Sequence, residues 1–87
     1  MTGNPSVEVT VLSVLVEIAR THQPARSALA AADILVDDLG FESLDLATAV
    51  AQLEVQLGVD PFATDATIGS VRTVGDFLGV YQRATRR

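Results

Sequence analysis

The sequence predicts an all-α domain of four helices with a short third one, and three observations carry that prediction. Apolar residues recur at helical spacing over three long stretches. Glycine and proline interrupt the pattern at Pro24, Gly58 and Gly69, where helices should stop or break. The hydrophobic share is 48% with only three Phe, one Tyr and no Trp, so the core must be built from Leu, Val, Ile and Ala, which suits packed helices better than a sandwich. A chain of 87 residues makes one domain, 1–87, and buries about 60–65% of its unfolded surface.

The first helix is expected over about residues 6–20. Asn4-Pro5, or Ser6, supplies a start, and Val7, Val11, Leu15 and Ile18 form its stripe, widened by Leu12, Val16 and Ala19. Its β-branched content makes it dependent on packing. Gln23-Pro24 ends it. Residues 23–38 form a long connection, with Ala28 to Ala32 and Ile34-Leu35 expected to pin it across the helices by apolar contact; loops of this length are often functional. The second helix should cover 44–57, with Gly58 as a left-handed C-cap. Leu46, Val50, Leu53 and Leu57 share one stripe, assigned to the core, while Leu44, Thr48, Ala51 and Val55 form a second, about 150° away at 100° per residue. Val59-Asp60-Pro61-Phe62 reads as a turn with Phe62 inward. Asp65 caps a short third helix over 65–69. Thr73-Val74-Gly75-Asp76 resembles a capping box and opens the fourth helix, 73–83, with Val74, Phe77, Leu78 and Tyr81 inward.

The chemistry concentrates in Leu35 to Asp45. Ser43 sits just ahead of the second helix, behind Gly40 and among Asp37, Asp38, Glu42 and Asp45. A serine in this position can simply cap the helix, a contribution of about 1 kcal/mol. Three details point beyond a cap. Leu46, not Glu or Gln, stands where a capping box from Ser43 would close. Gly40 permits a tight turn and keeps bulk away from the hydroxyl. A helix start also favours an anion such as a phosphate ester.

The run Asp37-Asp38-Leu39-Gly40-Phe41-Glu42-Ser43-Leu44-Asp45 resembles the serine motif of the acyl carrier proteins, with Glu42 in the place of the family's usual Asp, a change that keeps the charge. The similarity of layout covers roughly residues 6–83 and includes Arg72 to Asp76. It implies a four-helix bundle with a long first loop and a short third helix. It implies that Ser43 carries 4′-phosphopantetheine, transferred from coenzyme A by a magnesium-using phosphopantetheinyl transferase, whose thiol holds an acyl group as a thioester. It further implies that Asp38, Glu42, Asp45 and Glu54 orient partner enzymes and that Leu44 and Ala51, on the face shared with Thr48 and Val55, meet them beside the arm. Leu46, Val50, Ile68 and Val71 are the candidates for lining an acyl cavity, and the short third helix would shift to admit the chain. That second face has another reading: contact with the last helix, or simple surface residues.

Composition excludes several alternatives. The chain has no cysteine and a single histidine, which removes disulfides, thiol nucleophiles, zinc clusters and histidine triads. His22 is expected to be a solvated residue at the end of the first helix. Net charge is −5, and between Arg26 and Arg72 eight acidic residues meet no basic one, so a basic protein patch suits this surface and nucleic acid does not. No stretch reaches the ~18 apolar residues of a membrane span. The N-terminus lacks a basic signal-peptide region, so a cytoplasmic location is expected; the chain is also expected to be a monomer.

The function expected is therefore that of a discrete acyl carrier, not itself an enzyme and without a metal site. It would serve acyl-activating or acyl-transferring enzymes with basic patches. The second helix carries only Asp45 and Glu54 as acids, fewer than the carriers of fatty-acid synthesis, which points toward a dedicated lipopeptide or polyketide pathway. Two alternatives remain open. An aminoacyl or peptidyl carrier would typically show Gly-Gly and often His before the serine, where this chain has Gly40-Phe41-Glu42. A helical adaptor would use the apolar face of the second helix and keep Ser43 as a cap.

Overall fold

The computed structural model describes residues 5–64 and 67–85. They form α1 (Pro5–His22), α2 (Ser43–Leu57), α3 (Pro61–Thr64) and α4 (Val74–Thr85), with a 3-10 turn at Ile68–Ser70. Among the described residues there is no strand, only an isolated bridge between Ile34 and Thr73. The fold is all-α.

Helix α1 is the hub, packing on both α2 and α4. Val7, Val11, Leu15, Ile18 and Ala19 are buried on it, as the periodicity requires, and Val14 joins them. The helix runs to His22, two residues past the expected end at Arg20. Pro24 disfavours helical angles only at Gln23, and the Gln23 N–H still donates to the Ala19 carbonyl at 2.8 Å. The helix begins at Pro5, the proline offered for its first position, while the Asn4 proposed as its cap lies outside the described residues.

The long connection crosses to the start of α4, pinned in part as expected, since Leu35 is buried and Leu29 packs against the core. Ala28, Ala30, Ala31 and Ala32 are exposed, so they do not pin it. Backbone hydrogen bonds do: Leu35 N–H donates to Arg72 O, Val74 N–H to Asp33 O and Gly75 N–H to Ala31 O, each at 2.9 Å. The reason is that the first amides of a helix lack intrahelical acceptors, and the crossing loop supplies them. A Cβ on Gly75 would lie 3.2 Å from the Ala31 carbonyl oxygen, so a larger residue there would push the crossing apart by a few tenths of an ångström.

Beyond the crossing, the chain hooks into the core. Leu35, Leu39 and Phe41 are fully buried, at 1%, 0% and 2% exposure, and together fasten the segment that leads into α2. Gly40 takes φ 77°, in the left-handed region, which lets Leu39 and Phe41 both point inward across the turn. Gly58 ends α2 in the same region, its N–H donating to the Glu54 carbonyl.

The third helix is shifted from the expected 65–69. It begins at Pro61, where the sequence suggested a turn, because proline is pre-set for a first helical position and lacks the N–H that would be orphaned there. Phe62 holds it down: its ring stacks on Phe77 at 5.8 Å between centroids and meets Tyr81 edge-on at 6.0 Å. Ile68 falls in the separate 3-10 turn, and the proposed Asp65 cap lies outside the described residues.

The start of α4 is the capping box expected. Asp76 N–H donates to Thr73 Oγ1 at 3.0 Å, and Asp76 Oδ2 accepts from Thr73 N–H at 3.1 Å. Val74, Phe77 and Tyr81 are buried and Leu78 is half-buried, with Val80 adding a buried residue outside the expected set.

Candidate functional site

Helix α2 begins at Ser43 itself, with Glu42 as N-cap in extended conformation (φ −109°, ψ 172°), so Ser43 is not the cap. The Glu42 N–H instead donates to Asp45 Oδ2 at 2.8 Å. An acid three residues past the cap takes that amide, and the serine hydroxyl is left outside the capping arrangement. Ser43 is exposed, at the first turn of a helix of 15 residues whose leading amides have no intrahelical acceptor.

Asp45 does a second job. His22 Nε2 lies 2.8 Å from the same Oδ2, and because a carboxylate only accepts, Nε2 must carry the proton. The expectation that His22 is merely solvated is thus corrected: it ties the end of α1 to the start of α2 and lies beneath Gly40, where an added Cβ would stand 3.5 Å from the His22 Cβ. One-dimensional spacing could not show this, since the partners are 23 residues apart.

The Glu42 amide, and to a smaller degree His22, holds the Asp45 carboxyl below its ordinary 3.8, with burial opposing. A lowered folded-state value means that Asp45 stabilises the fold above the ordinary value and that this contribution is lost as pH falls through the lowered one. Asp45→Asn should therefore melt below the wild type at neutral pH, with the gap closing in acid. Melting temperatures across a pH series check this; a gap unchanged down to about pH 2 would show that Asp45 acts through shape and not through charge.

From Ser43 an apolar groove of about 450 Å³ runs along α2 toward α3, its walls including Leu46, Val50, Phe62 and Ile68. Four of the sequence candidates, Ser43, Leu46, Val50 and Ile68, meet there, together with Ala51 and Glu54 from the candidate partner face. Val71, the remaining acyl-cavity candidate, does not line it and is half-buried against the core. Asp60 and Phe62 do line it. They were not among the sequence candidates, although the Pro61 helix start and the aromatic at 62 were available as a signal.

The second stripe of α2 is exposed at Leu44, Ala51 and Val55 and half-buried at Thr48. Leu44 and Val55 are 76% and 85% exposed, the largest apolar exposures on this helix. Thr48 donates its hydroxyl to the Leu44 carbonyl at 2.8 Å. Of the acids, Glu42 and Glu54 are exposed. Asp38 is exposed too, but its carboxyl accepts the Ile34 N–H at 2.7 Å and so also braces the loop.

Among the described residues no group of three or more His, Cys, Asp or Glu is arranged to hold a metal, and no helix is long and apolar enough to cross a membrane. Comparison with known proteins returns no matching family model, curated protein or solved structure.

Proposed function

We propose that the chain is a discrete acyl carrier of the acyl-carrier-like four-helix type, with Ser43 as the attachment point of 4′-phosphopantetheine. The observation that carries the reading is the joint position of Ser43: an exposed hydroxyl, relieved of capping by Glu42 and Asp45, at the mouth of an apolar groove. The residues present fit the group. A phosphodiester on Ser43 meets the positive end of the α2 dipole and its leading amides, and the nearby Asp45 charge is already engaged by His22 and the Glu42 amide.

When bound, the group supplies a thiol that holds an acyl chain as a thioester. The chain's own residues do the rest. Ser43 Oγ offers the attachment oxygen to a phosphopantetheinyl transferase that brings coenzyme A, magnesium and the catalytic base. Leu46, Val50, Phe62 and Ile68 offer the acyl chain an apolar wall, worth ~0.8 kcal/mol for each methylene buried, less what opening the groove costs. Asp38, Glu42, Asp45 and Glu54 present negative charge to basic partner enzymes, and Leu44, Thr48, Ala51 and Val55 present the apolar contact. The domain performs no catalysis itself. A dedicated lipopeptide or polyketide pathway suits this small apolar face better than fatty-acid synthesis does.

Intact-protein mass spectrometry after incubation with coenzyme A, magnesium and a promiscuous transferase tests the proposal. The expected result is a gain of one phosphopantetheine on the wild type and none on Ser43→Ala. A folded, unmodified wild type that gains nothing sinks the carrier reading. The exposure of Leu44 and Val55 then favours a helical adaptor, whose partner binding should survive Ser43→Ala.

A further inference from the structure

The segment that carries Ser43 is held from two sides. Toward the core, Leu39 and Phe41 are buried. On the other side, two consecutive residues where α1 ends reach it both before and after Ser43. His22 Nε2 lies 2.8 Å from Asp45 Oδ2, and Gln23 Nε2 donates to the Asp38 carbonyl at 2.7 Å. Between these contacts Gly40 lies against the His22 side chain, where an added Cβ would stand 3.6 Å from the His22 Cγ.

Chemistry fixes the direction of both bonds. Asp45 Oδ2 only accepts, so His22 donates. The Gln23 amide could turn either way, but Arg26 Nε, which only donates, takes its Oε1 at 2.5 Å, and this leaves the NH2 for the Asp38 carbonyl. Arg26 is tethered in turn, its Nη1 donating at 3.3 Å to Asp33 Oδ2, the oxygen that also accepts the Ala30 N–H at 2.8 Å. The crossing loop thus braces the hold on Asp38, and the hold on Asp45 shares its oxygen with the Glu42 amide. Glu42, Ser43 and Leu44, between the two anchored points, are exposed.

We infer that His22 and Gln23 are positioning residues for Ser43: by gripping Asp45 and Asp38 they hold the exposed segment between in the one arrangement a modifying enzyme accepts. The inference rests on the carrier reading for the reaction that the grip serves; the grip itself belongs to the free domain. Without it the accepted arrangement is one among several, so apparent affinity falls with the fraction populated while the rate from the bound complex is kept.

Two readouts test this: transfer of phosphopantetheine from coenzyme A with apo protein as the varied substrate, and amide hydrogen exchange of the apo protein. His22→Leu, and Gln23→Glu, which removes the donor at constant length, should each raise KM at least about threefold with kcat kept within about twofold, the size of one lost hydrogen bond. His22→Gln, whose terminal N–H can replace Nε2–H, should restore KM. In the apo protein the Glu42 amide should exchange at least about threefold faster in His22→Leu. The Gly40 amide, bonded to the Val36 carbonyl at 3.1 Å, should do so in Gln23→Glu. Val80→Ala, at a buried position on α4, lowers stability away from the segment and should leave KM unchanged. If His22→Leu does not fold, Gln23→Glu decides.

An unchanged KM overturns the inference, and so does a rise that Val80→Ala reproduces or that His22→Gln fails to reverse. A higher KM with unchanged exchange also overturns it, because the side chains would then touch the transferase directly. If the wild type is never modified, the carrier reading falls, and the exchange rates alone show whether the grip exists. If the wild type is modified and both variants match it, the carrier reading stands and this inference falls.

Discussion

Phe41→Ala should cost about 3–5 kcal/mol, the range for deleting a buried aromatic ring, and lower the melting temperature by roughly 15–30 °C. Phe41 is only 2% exposed and stands two residues before Ser43. Its N–H donates to the Leu35 carbonyl at 3.0 Å, and its ring lies in the same buried cluster as Leu35 and Leu39. These side chains hook the crossing loop to the core and so hold the lead into α2 in place. Removing the ring leaves a cavity and frees that lead. Phe41→Leu keeps most of the apolar volume and should lose much less. Thermal and urea unfolding of both variants check the prediction, and a loss below about 1 kcal/mol for Phe41→Ala would mean that the hook does not depend on this ring. Because the loop presents Ser43, the alanine variant should also be modified more slowly by a transferase under conditions where it is still folded.

Phe77→Ala should have an effect of the same order, about 3–5 kcal/mol, with a more local signature. Phe77 is completely buried and joins two aromatic contacts, Phe62 at 5.8 Å and Tyr81 at 5.1 Å between centroids. Such pairs add about 0.5–1.5 kcal/mol beyond burial. Helix α3 has four residues, too few to persist on helix propensity, so it exists because Phe62 is docked on α4. Losing Phe77 should release it. Hydrogen exchange provides the readout: the Ala63 amide, bonded to the Asp60 carbonyl at 3.2 Å, should lose protection at a denaturant concentration where the α1 core still holds. Phe62→Ala should free the same amide with a smaller global loss, since Phe62 is only half-buried. Equal protection of Ala63 in the wild type and Phe77→Ala would show that α3 is held by something other than this ring stack.

Local signals carried much of the architecture. The stripe Val7, Val11, Leu15 and Ile18, the left-handed Gly58 and the Thr73–Asp76 box each depend on residues within one or two turns of one another, and each is where the pattern puts it. Ser43 at the start of α2 is a feature of the same kind. The features that spacing could not supply join distant segments. The Ile34–Thr73 crossing uses backbone atoms, which leave no trace in residue type. His22 reaches Asp45 only because α1 packs on α2. The shift of α3 to Pro61 follows from a ring stack across 15 residues.

The capping of α2 marks the boundary between these cases. Glu42 and Asp45 stand three apart, as a box requires, but serine is the stronger N-cap by preference, and only the extended Glu42 backbone and the His22 contact decide for the acids. The sequence by itself determined the all-α class, the helix spans to within a few residues in α1, α2 and α4, and the acidic middle of the chain. Those follow from periodicity, turn chemistry and charge, which act over a few residues. Packing between helices settled that Ser43 is spared from capping, that Leu46, Val50 and Ile68 share one groove while Val71 packs against the core, and that Asp60 and Phe62 line that groove as well. These depend on how separate helices meet, and burial is a property of the packed chain.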